Sequence, residues 1–172
     1  MSIARFDDWY TSSGHKRNMI VQTVQAVKTT PWAGTADGNT WLKTDFSASI
    51  VPKSRTNKIL LIATLQLSSG YWELQGRFDR NGTVIGVGRR QNGISQCGFH
   101  CSHYMNNYQD LWYPTTYSFL DTPGTTDTVV YTLNLNGYNS NSCYINKIEA
   151  DWDNADYAGT PISTITLMEI QA

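Results

Sequence analysis

The sequence predicts an all-β fold, a jelly-roll-like antiparallel β-sandwich of eight or nine strands behind a short N-terminal arm. Three observations lead there. Of 172 residues, 20 are Thr, 14 Ser and 13 Asn, while charged residues make up only 16 %. Thr favours strands, and Ser, Asn and Asp favour turns and caps. The acids are 11 Asp against 3 Glu, a bias away from helix. Short alternating apolar runs, punctuated by Gly, Pro and Asn, recur from Asn18 to the end of the chain.

Residues 1–17 form the arm. Ile3, Phe6, Trp9 and Tyr10 fall at near-helical spacing among Arg5, Asp7, Asp8 and Lys16. One or two helical turns alone are marginal in water, so these large groups need a surface to pack on. That surface is either the chain's own domain or a neighbouring subunit.

Residues 18–172 form the sandwich domain. Ile20, Val24 and Ala26 alternate against Val21, Thr23, Gln25 and Val27 in a first strand. A loop carrying Pro31, Gly34 and Gly38 follows. Phe46, Ala48 and Ile50 alternate up to Pro52, which ends a strand or sits on an edge. Ile59 to Leu67 is apolar on both faces, the pattern of a strand buried between two layers. Leu74, Gly76 and Phe78 run into Asp79-Arg80-Asn81-Gly82, and Val84 to Val87 returns. Asn-Gly between apolar runs is a strong hairpin signal.

Residues 89–114 have no clean period and predict a long loop with at most a weak strand, of the kind that is usually functional or interfacial. Tyr117 and Phe119 precede a turn at Asp121-Thr122-Pro123-Gly124. Thr128 to Leu135 alternates, with Asn136-Gly137 read as a second turn. Cys143 to Ile148 is a short strand, 149–159 an acidic loop, and Ile165, Leu167 and Ile170 a final strand.

Composition narrows the function. A formal net charge of -1 lacks the basic excess of nucleic-acid binders. No apolar stretch approaches a membrane span, and the first residues have no apolar centre of the secretory kind. Three Cys suggest no disulfide framework and synthesis in a reducing cytoplasm.

The chemical motifs are sparse. Cys97, His100, Cys101 and His103 are the densest metal-type residues. Zinc needs four convergent donors. In an extended strand His100 points away from the face shared by Cys97 and Cys101. A loop packed at a subunit contact is the favoured reading, and neither metal nor cofactor is expected. Asp151, Asp153 and Asp156, with Glu149 and Asn154, make an acidic loop. Ala155 stands where a calcium loop wants an oxygen, and the spacing does not define a glycosidase acid pair. The sequence contains neither a Gly-x-Ser-x-Gly elbow nor a Gly-Lys-Ser/Thr phosphate loop. No catalytic residue is assigned, and enzymatic activity, including a polysaccharide hydrolase, is not expected. Tyr104, Tyr108, Trp112 and Tyr113 share one Asn-rich loop. Such residues suit a protein interface, where Tyr and Trp are enriched, or a glycan site.

Four stretches carry a family resemblance: Pro52 to Leu61, Asp79 to Gly88, Ser118 to Thr126, and Ser163 to Ile170. Their order and spacing resemble a β-sandwich domain of structural proteins of tailed bacteriophages, notably phages of cyanobacteria. In that family it occurs in tail-fibre tips and in small virion-surface proteins. The resemblance spans roughly residues 18–172. It implies a virion-surface component, a homotrimer, without enzymatic activity, made in the cytoplasm of a host bacterium. The short arm favours a capsid decoration (cement) protein bound to the major capsid protein through Arg5, Phe6, Trp9 and Tyr10. The alternative is a receptor-binding fibre knob whose 104–113 loop reads a host surface glycan. No nucleic acid or membrane partner is expected.

Overall fold

The computed structural model describes residues 19–36, 40–70, 73–88, 97–101, 112–137, 141–148 and 159–172. The arm therefore lies outside the described residues, as do Tyr104, Tyr108, His103 and the acidic loop from Glu149 to Asp156.

The described residues contain no helix and form two antiparallel sheets packed face to face. Sheet one holds β1 (Ile20–Lys28), β2 (Trp32–Thr35), β4 (Lys58–Ser69), β8 (Tyr113–Asp121), β10 (Ser142–Ile145) and β11 (Ser163–Ile170). Sheet two holds β3 (Leu42–Ile50), β5 (Leu74–Arg80), β6 (Thr83–Ile85), β7 (Phe99–Cys101) and β9 (Val129–Gly137).

Three pairs of these eleven strands lie end to end. β10 and β11 share one edge of β4, β1 and β2 continue each other beside them, and β6 and β7 share one edge of β5. Eight lines remain: β8, β4, β10/β11 and β1/β2 across sheet one, and β6/β7, β5, β9 and β3 across sheet two. This order is the jelly-roll connection pattern.

The core is the alternation made solid. Ile59, Leu61, Ala63, Leu65 and Leu67 of β4 point inward beside Ile165 and Leu167 of β11, all fully buried. They meet Leu74 and Phe78 of β5 and Val129, Tyr131, Leu133 and Leu135 of β9. Phe78 stacks on Tyr117 at 5.5 Å between ring centroids, and Phe99 tilts against the same ring. Full burial of such side chains contributes about 1.5–3 kcal/mol each.

Polar groups clasp the sheets. Arg80 of β5 donates to both oxygens of Asp121 at the end of β8, at 2.8 and 2.9 Å. The Tyr131 hydroxyl of β9 donates to the same carboxylate at 2.7 Å, and its pKa is pushed up by burial and by that bond. Midway along β8 the Tyr117 hydroxyl donates to Gly86 O at 2.8 Å. Gly86 has φ +58°, and a Cβ there would lie 1.9 Å from that hydroxyl, so the position requires glycine twice over. Burial, and secondarily Asp121, push the Tyr117 pKa up to about 12.

The Asn81-Gly82 hairpin forms as read: both residues have positive φ, 50° and 86°, and Arg80 faces Thr83 across the turn. Other expectations are corrected. Asn136-Gly137 is not a turn; both residues stay in β9, opposite Gln75 and Leu74. Gly137 serves close packing there, because a Cβ would meet Asn141 Cβ at 3.0 Å and Cys143 Sγ at 3.2 Å. The Pro31–Gly34 loop contains β2, which pairs with β10. β8 begins at Tyr113, within the stretch read as loop, because β4 extends far enough to pair with it. Among the described residues no second layer lies over the outward side of β4, where Leu60 and Ile62 are half-buried.

Candidate functional site

Two sheet faces point away from the core, and their chemistry differs. On the outer face of sheet one the register aligns Thr23, Met168, Leu60 and Leu120 in one row. Gln25, Thr166, Ile62 and Ser118 make the next, and Val27, Thr164, Thr64 and Thr116 the third. Within these rows no side chain is charged; Lys58 stands at one end. The centre is apolar and the surround is hydroxyl and amide. Leu120 is 47 % exposed and Val27 50 %, with Ile20 at 60 % on the same edge. Interface cores are depleted of charge in this manner.

The outer face of sheet two is polar, and much of it is covered: Asp79, Thr132, Asn134 and Asn136 are all buried. Asn134 of β9 faces Arg77 of β5, while Asn136 faces Gln75, which in turn faces His100 of β7. Asp79 and Thr132 form the adjoining pair. Asp79 is nearly buried; one oxygen accepts from Asn134 Nδ2 at 2.7 Å and the other from Gly82 N at 2.8 Å. The Arg77 guanidinium lies 4.0 Å from the centre of the Trp41 ring. Burial lowers the Arg77 pKa from its ordinary value, against the opposing pull of Asp79. His100 Nε2 sits 3.3 Å from Glu73 Oε2 at the exposed rim. Gln75 Oε1 and Arg77 Nε are buried atoms without a hydrogen-bond partner.

Of the residues singled out in the sequence, Trp112 is half-buried at the surface. It borders an open depression of about 480 Å³ with Gln66, Gly159, Thr160 and Pro161. Tyr113 parts from it: the side chain packs against the core, opposite Leu67. The two belong to different surfaces because successive strand residues face opposite ways. Arg5, Phe6, Trp9, Tyr10, Tyr104 and Tyr108 lie outside the described residues.

The metal-type run is partly visible. Cys97 is a half-buried free thiol, and His100 turns to Glu73. Among the described residues, no three His, Cys, Asp or Glu side chains are grouped to hold a metal. Cys143 is a second free thiol, buried, with its pKa pushed up to about 12 by burial.

The polar face of sheet two was missed in the sequence. Its signal is the alternation Gln75-x-Arg77-x-Asp79 and Thr132-x-Asn134-x-Asn136, which puts amides and an Arg at outward positions. No protein-family model matches this chain, and no curated protein matches it.

Proposed function

We propose that this chain is a non-enzymatic structural protein of a tailed-bacteriophage virion. In this reading it is a homotrimeric decoration (cement) protein of the head, held to the major capsid protein by its N-terminal arm. The observation that carries the reading is the outer face of sheet one. Its apolar centre at Leu60, Ile62, Leu120 and Met168 is only partly covered within the chain, and the rows around it are uncharged. The sequence pattern of β4, apolar on both sides, makes sense when a neighbouring copy supplies the second layer. The jelly-roll pattern, common to capsid and lectin domains, fits the phage resemblance.

Four strand lines about 4.8 Å apart and seven residues of about 3.3 Å give a face of roughly 400 Å² in projection. A standard interface buries about 800 Å² per partner. The face alone therefore gives weak association, which arrayed copies and an arm bound to the shell reinforce through effective concentration. Added buried area across the shell is the stabilising mechanism.

Gold-labelled antibody against the protein, applied to intact particles of the source phage, tests the location. Label over the head supports decoration, and deleting residues 1–17 should then abolish capsid binding. Label confined to the tail tip would replace this reading with the receptor-binding one, whose support is Trp112 at the edge of its depression.

A further inference from the structure

We infer that the end of the sandwich at Lys53, Arg55 and Lys58 is a docking surface for a carboxylate-rich patch on the shell protein that holds the arm. This rests on the arm's proposed role in binding the shell. Lys53 and Arg55 stand in the connection from β3 to β4, and Lys58 opens β4; all three are exposed. Among the described residues none of the three forms an ion pair. The acids of the same end are placed otherwise. Asp121 is buried and accepts from Arg80 and Tyr131. Glu169 is buried beneath the connection. Its charge offsets one cation at a distance but presents no oxygen to a partner. Among the described residues Asp127 is the one exposed acidic side chain of this end.

The chain's own acid-rich stretch is too far away to neutralise these cations. Residues 149–158 carry Glu149, Asp151, Asp153 and Asp156. They join the described structure at Ile148 and Gly159. Gly159 lies beside Gln66, and Lys147 O, next to Ile148, accepts from Ser68. Gln66 stands about 26 Å along β4 from Lys58, and Ser68 farther still. A stretch of this length tied at both ends reaches out at most about 19 Å, so the cations are left for a partner.

The surroundings define that partner. Ile20, 60 % exposed, shares a row with Ile170 and Lys58, and Val51, 49 % exposed, adjoins the connection. Apolar groups among cations suit an acidic protein surface. A nucleic acid asks for more, since its binders contact about 6–10 phosphates. The connection is also firmly held. Lys53 N and Asn57 Nδ2 donate to Glu169, Asn57 N to Ser54 O, and Arg55 Nε to Gly124 O. Cations carried on a fixed backbone are ordered at less cost on binding. The arm enters beside them: Gln171 N donates to Met19 O, and Ala172 N to Asn57 Oδ1. An arm seated in the shell therefore brings this end against the shell, where opposite charge speeds and orients docking.

The test is cosedimentation of the full chain with particles of the source phage assembled without this protein. Binding of the unaltered chain should weaken about tenfold or more between about 0.05 and 0.5 M NaCl. Lys53→Glu together with Lys58→Glu should weaken it about tenfold or more at low salt and flatten the salt dependence. Lys43→Glu, exposed at the far end of β3, should leave binding unchanged. Thermal melts establish that each variant is folded, and Lys53→Ala with Lys58→Ala replaces the reversal if that does not fold. Binding indifferent to salt and to these substitutions overturns the proposal and leaves the arm reading standing, which deletion of residues 1–17 tests separately. A chain that binds no particle at any salt overturns both. Salt-sensitive self-association or DNA binding that the same variant loses also overturns it, because the occupant is then a second copy or a nucleic acid.

Discussion

Glu169 shows what a single buried carboxylate does in this fold. It is fully buried at the end of β11, and every hydrogen bond it accepts comes from a neutral group. Asn57 Nδ2 donates at 2.6 Å, Gln22 Nε2 at 2.6 Å and the Lys53 amide at 2.7 Å. Burial raises its pKa, but these bonds, with the Ser54 amide, lower it by more, so the net shift is downward. The carboxylate thereby ties the 51–57 connection to β1 and β11. A carboxyl whose folded pKa lies below its unfolded one stabilises fully above the unfolded value, and the gain disappears as pH falls through the folded value. Thermal melts should be insensitive to this group at neutral pH and decline below the ordinary carboxyl value of 4.5. Glu169→Gln should cost about 1–3 kcal/mol at pH 7, because an amide N–H₂ is set among donors, and should flatten that acid slope. An unchanged slope in the variant would assign the acid sensitivity to other groups.

At the scale of elements, the junction of β10 with β11 shows how side chains can finish a ladder. The two strands run end to end along β4, and Asn146 sits at the break with φ 57°. Its amide donates to Gln66 O at 2.9 Å, its Nδ2 to Lys28 O at 2.7 Å, and its Oδ1 accepts from Ser163 Oγ at 2.6 Å. Ser163 Oγ in turn accepts from Gln66 N at 2.9 Å. Asn tolerates the left-handed region and brings both a donor and an acceptor. Asn146→Ala should therefore destabilise by about 2–4 kcal/mol, and Asn146→Gly, which relieves the backbone strain, by less. Urea unfolding of the three proteins measures both, and equal losses would mean that the backbone conformation contributes little. This junction also marks where the sequence stops being legible. Long strands declare themselves, β4 by its continuous apolar run and β11 by alternation, and Asn81-Gly82 by its turn chemistry. The four residues of β2 and the three of β7 do not, because so short a strand is made by its neighbour rather than by its own propensity. Asn136-Gly137 has the letters of a turn, but pairing with β5 keeps it extended. The candidate site was hidden for a related reason: Gln75, Arg77 and Asn134 become one patch only when β5 and β9 are set in register.

For the whole molecule, the two outer faces differ in chemistry, and the difference is measurable. The rows of sheet one from Thr23 to Leu120 carry apolar and neutral side chains, so contact through them is driven by burial rather than by charge. Salt screens charge pairs but leaves burial intact, whereas cooling weakens it. Sedimentation velocity at rising concentration should therefore show an apparent mass that grows above the 19.3 kDa of one chain. The growth should persist in about 1 M NaCl and recede on cooling. Leu60→Asp together with Leu120→Asp places a charge from each of two neighbouring strands in one row, and should hold the protein monomeric. Both side chains point away from the core, so the fold should survive with a loss of about 1–2 kcal/mol, because Leu60 is half-buried and the two like charges stand directly opposite each other across the β4–β8 pair. Self-association lost with the fold retained assigns the interface to this face. A protein that stays monomeric at every concentration would instead leave the shell itself as the partner of sheet one. Association that collapses in high salt would shift attention to charged residues outside these rows.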